Sequence, residues 1–361
     1  MRKIWRTKGG SFYVGHLPIG CRLCQKGAKL VLFITGICGK RCFYCPLSEA
    51  RRGKDVVYAD EVRVLADEDV VQEARVIQAE GTGLTGGDPL ISPQRVLHYI
   101  RLLKDEFGEK HHVHLYTIGR YLTKPLLRQL KDAGLDEIRF HPDKVDLPKI
   151  SWAAKAEITV GAEVPAIPNG SKEIIALIKY LGDAGASFIN INELEFTETN
   201  RAALLIRGIR SKPPMSLVAE GSEETAFKVL DWALRSANIN VHYCPARIKD
   251  AVQFRNRIKR KGKSVAKPYE TITRDGLLSF GIIKLRKATQ NTLESFHNLL
   301  INKYHIPLEL IAINLGKRRI ETSIEIIKKL GPNIMSQSCE CGIISEYPTQ
   351  DRTEVLYTPL H

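Results

Sequence analysis

Three cysteines, Cys38, Cys42 and Cys45, lie close together in the segment CGKRCFYC. Their C-x3-C-x2-C spacing supplies three thiolate ligands, one fewer than the four that close a structural metal site. The spacing is also too compact and irregular for a pair of zinc knuckles. Three thiolates can hold three irons of a four-iron, four-sulfur cluster and leave the fourth iron open. The motif therefore predicts a cluster with one coordination position free for another molecule.

A fold of alternating strands and helices must position this loop. The apolar segment LVLFI (30–34) directly precedes it and is typical of a buried strand. Strand and helix segments then alternate about six times up to residue 245, including a helix over 124–134 and a strand over 215–220. The alternation predicts an α/β fold with a parallel sheet. The region, residues 28–245, is shorter than the roughly 250 residues of an eight-fold barrel, so we expect a partial (β/α)6 barrel.

The cysteine motif, placed after the first strand of such a barrel, resembles that of the radical S-adenosylmethionine (radical SAM) superfamily. Within it, FITGICGKRCFYCPLS (33–48) is most similar to proteins related to the pyruvate formate-lyase activating enzyme. The resemblance implies a [4Fe-4S] cluster on the three cysteines and S-adenosylmethionine chelated to the open iron. In the family, an electron from the cluster cleaves the S–C5′ bond of the cofactor. The resulting 5′-deoxyadenosyl radical abstracts a hydrogen atom from the substrate.

Further residues match cofactor-binding positions of the family. Tyr44 matches the aromatic residue that the family has before its third cysteine, which implies that its ring packs near the adenine. In TGGDP (85–89), Gly86, Gly87 and Asp88 match a Gly-Gly-Glu-type motif that binds the cofactor's ammonium group, with Asp in place of the usual Glu. Polar or small residues where later strands end are candidate contacts to the ribose, adenine or carboxylate: Arg139, His141, Gly161, Glu163, Asn190, Asn192 and Glu193. The alternative for each is a strand-end residue satisfied by nearby backbone.

The remaining cysteines suggest a second metal site. Cys21 and Cys24 form a C-x2-C pair, and Cys339 and Cys341 form a C-x-C pair. Together they offer four soft ligands, enough for zinc or an auxiliary iron–sulfur cluster, and the alternative is four reduced thiols. The favoured interpretation of Cys244 is a buried cysteine at a strand end, and the alternatives are a spare metal ligand or a thiol on the substrate side.

Two histidines, His112 and His114, share one face of a predicted strand over 112–118. The sequence shows no carboxylate that could join them in a metal site. A structural role is therefore the favoured interpretation of this pair.

Charge is distributed unevenly along the 361 residues. Residues 1–54 carry a net charge of +11, residues 55–245 carry −6, and residues 246–361 carry +9. We expect residues 1–27 to form a basic N-terminal arm that contains the C-x2-C pair. Residues 246–361 should form a basic helix, a linker and a small α+β domain with the C-x-C pair. The basic ends suggest a polyanionic partner, and the alternative is an ordinary solvated surface.

Three hypotheses about function follow from these features. The first is a radical SAM enzyme that modifies RNA, a tRNA base being the best candidate, with the basic segment QFRNRIKRKGK (253–263) on phosphates. The second is a radical SAM enzyme that modifies a protein or peptide, as an activase does, although the chain is about a hundred residues longer than a barrel alone needs. The third is a non-catalytic iron–sulfur or zinc protein that binds RNA.

The compartment and the remaining partners follow from composition. No apolar segment approaches the length of a membrane span, and we expect a cytoplasmic protein without a membrane partner. Cluster chemistry of this kind implies an electron donor of the ferredoxin or flavodoxin type.

Overall fold

The computed structural model describes residues 2–212, 217–335 and 339–360. The chain divides into two compact units, Met1–Phe254 and Arg255–His361. The boundary lies a few residues beyond residue 245, where strand and helix cease to alternate. No helix among the described residues combines the length and the apolar character needed to cross a membrane.

The N-terminal unit is built from short parallel strands and the helices that connect them. Its strands are β1 (Ile4–Arg6), β2 (Phe12–Val14), β3 (Lys29–Thr35), β4 (Tyr58–Ala59), β5 (Val62–Arg63), β6 (Gly81–Gly86), β7 (His112–Thr117), β8 (Glu137–Phe140), β9 (Thr159–Ala166), β10 (Phe188–Glu193) and β11 (Asn240–Cys244). Its α-helices are α1 (Ile19–Lys26), α2 (Asp67–Val76), α3 (Pro93–Phe107), α4 (Lys124–Asp132), α5 (Pro148–Lys155), α6 (Ser171–Asp183), α7 (Arg201–Ile206) and α8 (Ser222–Ser236). Short 3-10 helices span Pro89–Ile91 and Lys144–Asp146, and a π-helix spans Ile248–Phe254.

The strands form one sheet with the order β1-β2-β11-β10-β9-β8-β7-β6-β3-β4-β5. From β3 through β6 to β11, seven consecutive strands are parallel. The predicted α/β class and parallel sheet are thereby confirmed. Residues 215 and 216 of the strand predicted over 215–220 lie outside the described residues, and Val218 and Ala219 form only isolated bridges.

The N-terminal residues extend this sheet. Strands β1 and β2 form a hairpin, and β2 pairs antiparallel with β11, Val14 lying opposite Val241. Helix α1 follows and contacts β3, β6 and β7. Residues 1–27, expected to form a basic N-terminal arm, lie in the N-terminal unit, and backbone hydrogen bonds of β2 join them to the last parallel strand.

The two faces of the sheet differ in polarity because successive side chains of a strand point to opposite faces. One face is apolar and packs against the connecting helices. It is buried through residues such as Leu32, Leu115, Ile138, Ile189 and Val241. Burial of this continuous apolar surface is the main stabilising contribution that the sequence pattern predicts.

The opposite face carries polar and charged side chains, and we call it the polar face. Its residues include Lys29, His112, His114, Tyr116, Glu137, Arg139, Glu163, Asn190, Asn192 and His242. Many of these side chains are buried, which is costly unless they are paired. A buried polar surface of this kind indicates a functional region.

The C-terminal unit is a smaller α+β domain, as expected. Its strands are β12 (Thr271–Ile272), β13 (Leu278–Leu285), β14 (Ile311–Asn314), β15 (Arg319–Thr322), β16 (Cys339–Glu346) and β17 (Glu354–Pro359). Its helices are α9 (Arg255–Val265), α10 (Gln290–Tyr304), α11 (Ile324–Ile334) and the 3-10 helix Leu308–Leu310. The sheet is antiparallel with the order β14-β15-β13-β16-β17, and β12 also pairs with β13.

The basic segment 253–263 is helical over most of its length, but it is not a freely solvated basic surface. Arg257 and Lys261 are buried, and Arg255, Lys259 and Arg260 are half-buried. Fewer of its charges are accessible to phosphates than the sequence alone suggests. Binding of a polyanion by this helix stays a prediction.

Candidate iron–sulfur and cofactor site

The carboxyl ends of the parallel strands open onto a cavity of about 740 Å³. The three cysteines of the loop after β3 line it. So do eight of the other candidate residues: Tyr44, Gly86, Gly87, Arg139, His141, Glu163, Asn192 and Glu193. Side chains separated by more than a hundred residues in the sequence thus face one space.

The cysteine loop is held by contacts at its base. Lys40 forms an ion pair with Asp143 at 2.5 Å, and Arg120 donates a hydrogen bond to the carbonyl oxygen of Gly39 at 2.6 Å. Burial raises the pKa of the Cys38 and Cys42 thiols. Both thiols are therefore protonated near neutral pH in the free protein, and metal binding must release those protons.

The glycines at the end of β6 bring two backbone segments together. Gly87 N donates to Thr35 O at 2.7 Å, and Asp88 N donates to Ile37 O at 2.9 Å. A Cβ at Gly86 would overlap Thr35 O, and a Cβ at Gly87 would overlap Ile37 O. Only glycine permits this approach, which joins the glycine motif to the start of the cysteine loop.

We expect Gly87→Ala to disturb the backbone at the start of the cysteine loop. The added methyl group must displace backbone at residues 36 and 37, and such overpacking costs about 1–3 kcal/mol in stability. Gly316→Ala is the matched control, because the nearest atom to a Cβ there is Asn314 Oδ1 at 3.6 Å. Thermal unfolding and cluster content after reconstitution measure the effect. Equal values for both variants would contradict the assigned role of the close approach.

Asp88 has a different position from the one expected. It is buried, its Oδ1 accepts hydrogen bonds from Thr117 Oγ1 at 2.9 Å and Leu90 N at 3.1 Å, and it does not line the cavity. Burial raises the pKa of this carboxyl group. Contact between this side chain and the cofactor stays a prediction. In the structure the Asp88 side chain caps the 3-10 helix Pro89–Ile91 after β6 by accepting a hydrogen bond from Leu90 N.

Tyr44 belongs to a hydrogen-bonded chain on the cavity wall. Its hydroxyl lies 2.7 Å from His141 Nε2, and His141 Nδ1 lies 2.8 Å from the carbonyl oxygen of Glu163. Since the Glu163 carbonyl oxygen must accept from Nδ1–H, Nε2 of the neutral ring accepts a hydrogen bond from the Tyr44 hydroxyl. The tyrosine ring is therefore held in a fixed orientation toward the cavity, which suits the predicted contact with a planar base.

Arg139 and Glu163 form the charged floor of the cavity. Arg139 donates through Nε to Glu137 Oε1 at 2.5 Å and through Nη1 to Glu163 Oε2 at 3.0 Å. Burial opposes ionisation of Glu163, but the Arg139 charge and the amides of Asn190 and Asn192 outweigh it and lower the pKa of the carboxyl group. Glu163 is therefore an anion at neutral pH, available to a ligand that donates hydrogen bonds.

The candidate residues of β9 and β10 divide into two groups. Asn192 donates to Glu163 Oε1 at 2.9 Å, and Glu193 accepts from Ala246 N at 2.8 Å, both at the cavity wall. Asn190 lies deeper and donates to Glu163 Oε2 at 2.9 Å, so it supports the site without lining it. Gly161 does not line the cavity either, because the Phe188 ring occupies the space beside its Cα. For Asn190 and Gly161 a direct contact with the cofactor stays a prediction.

The cavity also contains residues that the sequence analysis did not single out. Tyr116 lines it and its hydroxyl accepts a hydrogen bond from Arg139 Nη1 at 3.2 Å. Lys249 lines it from the opposite side and forms an ion pair with Glu195 at 2.6 Å. Tyr116 was foreseeable, because it alternates with His112 and His114 along β7. Lys249 was not, because it follows the last parallel strand in a segment without periodicity.

The residues present fit an iron–sulfur cluster and S-adenosylmethionine. Three thiols of one loop face the cavity, and thiolates are the ligands that such clusters take. Gly86 and Gly87 offer backbone without side chains beside that loop. The anionic Glu163 and its amide neighbour Asn192 offer acceptors and donors for a polar cofactor.

The other cysteines are distributed within the two units. Cys21 is buried in the N-terminal unit, where its Sγ accepts from Asn190 Nδ2 at 3.2 Å and from Arg139 Nη1 at 3.5 Å, and Cys24 is half-buried. Cys339 and Cys341 are buried in the apolar core of the C-terminal unit. The shared metal site stays a prediction.

Cys244 lies at a strand end. It is the last residue of β11 and is half-buried, and burial raises its pKa well above the ordinary value.

Comparison with known proteins identifies the two parts of the chain. Residues 32–191 match the sequence model of the Radical SAM superfamily. Residues 276–360 match a family described as a domain of unknown function, DUF8061.

Individual relatives give a more detailed picture. A protein of Methanocaldococcus jannaschii, named provisionally as a glycyl-radical enzyme activating enzyme, is 42% identical over 359 residues, which are 95% of this chain and 93% of the relative. A GTP 3′,8-cyclase of Helicobacter pylori is 25% identical over 217 residues, 52% of this chain and 61% of the relative. The solved structure of methylornithine synthase has 12% identity and a TM-score of 0.41, and covers 58% of this chain and 66% of that one.

Proposed function

Since the chain belongs to the radical SAM superfamily, we propose that it is an activating-type enzyme whose substrate is a protein. It is an enzyme of the radical SAM type, and this class is confirmed by the family match and by the relative from M. jannaschii. The family implies a [4Fe-4S] cluster and S-adenosylmethionine. When bound, these groups supply reductive cleavage of the S–C5′ bond and a radical that abstracts hydrogen.

The residues of this chain provide the site for that chemistry. Cys38, Cys42 and Cys45 would hold three irons at the mouth of the cavity. The backbone of Gly86 and Gly87 would lie against the cofactor, and Glu163 would accept hydrogen bonds from it. A radical formed there would need protection from water to avoid side reactions.

The match over nearly the whole length carries the proposal of a protein substrate. The extra hundred residues argue against an activase when the sequence is considered alone. The relative named as an activating enzyme is similar over 95% of this chain, a span that includes most of the C-terminal unit. A C-terminal unit is therefore compatible with an activating-type enzyme, so the extra length no longer argues against one.

The hypothesis of a tRNA substrate has less support. The relatives above give no indication of RNA as a substrate, and Arg257 and Lys261 of the basic helix are buried. Zinc or an auxiliary cluster at the remaining cysteines, and an electron donor of the ferredoxin or flavodoxin type, stay predictions.

We expect a protein fraction, and not an RNA fraction, to couple with this enzyme. Cells of the source organism that lack the gene should accumulate the unmodified substrate. Their extract is divided into total protein and total RNA, and each is added anaerobically to reconstituted enzyme with dithionite and S-adenosylmethionine. The protein fraction should raise 5′-deoxyadenosine release above the uncoupled rate, and the radical should appear on a protein glycine by electron paramagnetic resonance.

The controls separate the hypotheses. Protease treatment of the extract should abolish the increase, while ribonuclease should leave it unchanged. The enzyme without its three loop cysteines should show no increase with either fraction. An increase that ribonuclease removes and protease spares would show the protein substrate to be wrong and would favour RNA.

A further inference from the structure

His112, His114 and Glu137 form a buried cluster on the polar face. His112 and Glu137 are the first residues of β7 and β8, and His114 lies opposite Glu137 in the register of these strands. One potential ligand atom of each side chain lies within 4.8 Å of those of the other two. None of the three lines the cavity described above. The cluster is therefore at the amino ends of the strands, apart from the cysteine loop.

The two imidazoles lack the partners that buried histidines normally have. Among the described residues, neither nitrogen of His114 has a hydrogen-bond partner, although its side chain is fully buried. His112 Nε2 also has none and lies 3.6 Å from Glu137 Oε2. Buried polar atoms are almost always paired, so three unpaired nitrogens in one place indicate a missing ligand.

Two glycines allow the backbone to approach the buried His114 ring closely. A Cβ at Gly83 would lie 2.7 Å from Nε2, and a Cβ at Gly20 would lie 3.0 Å from Nδ1. Any larger residue at either position would press against a ring nitrogen. Gly83 belongs to β6 and Gly20 to α1, so two separate elements present backbone without side chains to this ring.

We propose that His112, His114 and Glu137 bind a divalent transition-metal ion. Two histidines and one carboxylate are a common ligand set for zinc and for ferrous iron. Zinc with three protein ligands keeps a water molecule in its fourth position. The ion would join β7 to β8 near their amino ends and so stabilise this part of the sheet.

The surrounding charges make Glu137 the most important of the three ligands. The guanidinium of Arg139 donates to Glu137 Oε1 and leaves Oε2 directed at His112. Because Arg139 repels a metal ion, the carboxylate charge of Glu137 must offset that repulsion. Loss of the charge in Glu137→Gln should therefore weaken binding more than loss of one imidazole.

In the full chain with Cys38, Cys42 and Cys45 replaced by alanine, no cluster should bind, so any metal that remains cannot be cluster iron. After chelation and incubation with Zn²⁺ or Co²⁺, this variant should retain about one ion per chain, and Co²⁺ should give the absorption of a low-coordinate site. In that background His114→Gln and Glu137→Gln should each lower the affinity by about tenfold or more. His111→Gln is the matched control, since His111 is a buried neighbour whose Nε2 lies 2.8 Å from Thr82 Oγ1.

Two further measurements keep the proposal testable if a variant does not fold. Cys339→Ser with Cys341→Ser should leave the ion in place, whereas loss of the ion would assign it to the predicted cysteine site. X-ray absorption at the zinc edge of wild-type protein should show nitrogen and oxygen ligands. Sulfur-dominated coordination, or a folded protein that takes up no ion, would overturn the proposal.

Discussion

Replacement of Cys38, Cys42 and Cys45 by alanine should reduce 5′-deoxyadenosine release to the rate without enzyme. Each substitution removes one of three iron ligands, and a cluster with fewer ligands than that has no stable site on this loop. The loop itself should persist, because Lys40 with Asp143 and Arg120 with Gly39 hold its base. The measurements are iron and sulfide content and 5′-deoxyadenosine after anaerobic reconstitution with dithionite and S-adenosylmethionine.

Cys244→Ala serves as the matched control for this result. Cys244 is a half-buried thiol at a strand end that does not line the cavity among the described residues. The variant should bind the cluster and cleave S-adenosylmethionine as the wild-type enzyme does. Continued release of 5′-deoxyadenosine by the variant without the three loop cysteines would contradict the assignment of the site.

The sequence predicts well those features that depend on local patterns. Helix α4 was expected over 124–134 and spans Lys124–Asp132, with the Thr123 side chain accepting a hydrogen bond from Leu126 N at its start. Its apolar spacing and its proline in the first turn are visible in any window of that length. The spacing of the three loop cysteines is equally local, and the structure places all three on one cavity.

Features that depend on distant residues could not be predicted in the same way. Asp88 turns inward because Thr117, on the next strand, donates to it, and Gly161 is required by the ring of Phe188. Glu137 lies beside His112 and His114 because the register of β8 places it there. Register between strands is set by tertiary packing, and a single sequence does not display it.

The same limitation applies to the cysteine pairs. Spacing alone groups Cys21 and Cys24 with Cys339 and Cys341, since all four are thiols in short motifs. In the structure, Cys21 Sγ accepts a hydrogen bond from Asn190 of the polar face, and Cys339 lies in an apolar core. Burial of a thiol depends on which face of its helix or strand is covered, and that is again a tertiary property.

Arg139→Leu should destabilise the N-terminal unit more than any surface substitution. The side chain is 2% exposed and neutralises Glu137 and Glu163, which are themselves largely buried. Removing one partner of a buried ion pair leaves an uncompensated charge and costs about 3–5 kcal/mol. For a unit of this size we expect the midpoint of thermal unfolding to fall by on the order of 10 °C.

Arg75→Leu is the matched control on the surface. Arg75 is 51% exposed and forms ion pairs with Glu68 and Glu106. Exposed ion pairs contribute about 0–1 kcal/mol, so this variant should unfold close to the wild-type temperature. A difference of less than about 1 kcal/mol between Arg139→Leu and Arg75→Leu would contradict the role given to the buried network.

The effect of Arg139→Leu should also depend on pH in a defined direction. Burial opposes ionisation of Glu137 and Glu163, but Arg139 lowers the pKa of both carboxyl groups below the ordinary value. Carboxyl groups with a lowered pKa stabilise the folded state above their unfolded pKa, about 4.3, and lose that contribution as the pH falls through the folded value. Without Arg139, the same groups resist ionisation and destabilise the fold at neutral pH. The difference in unfolding free energy between the wild-type protein and the variant should therefore be largest near neutral pH and shrink on acidification. Thermal unfolding of both proteins, measured from neutral to mildly acidic pH, tests this directly.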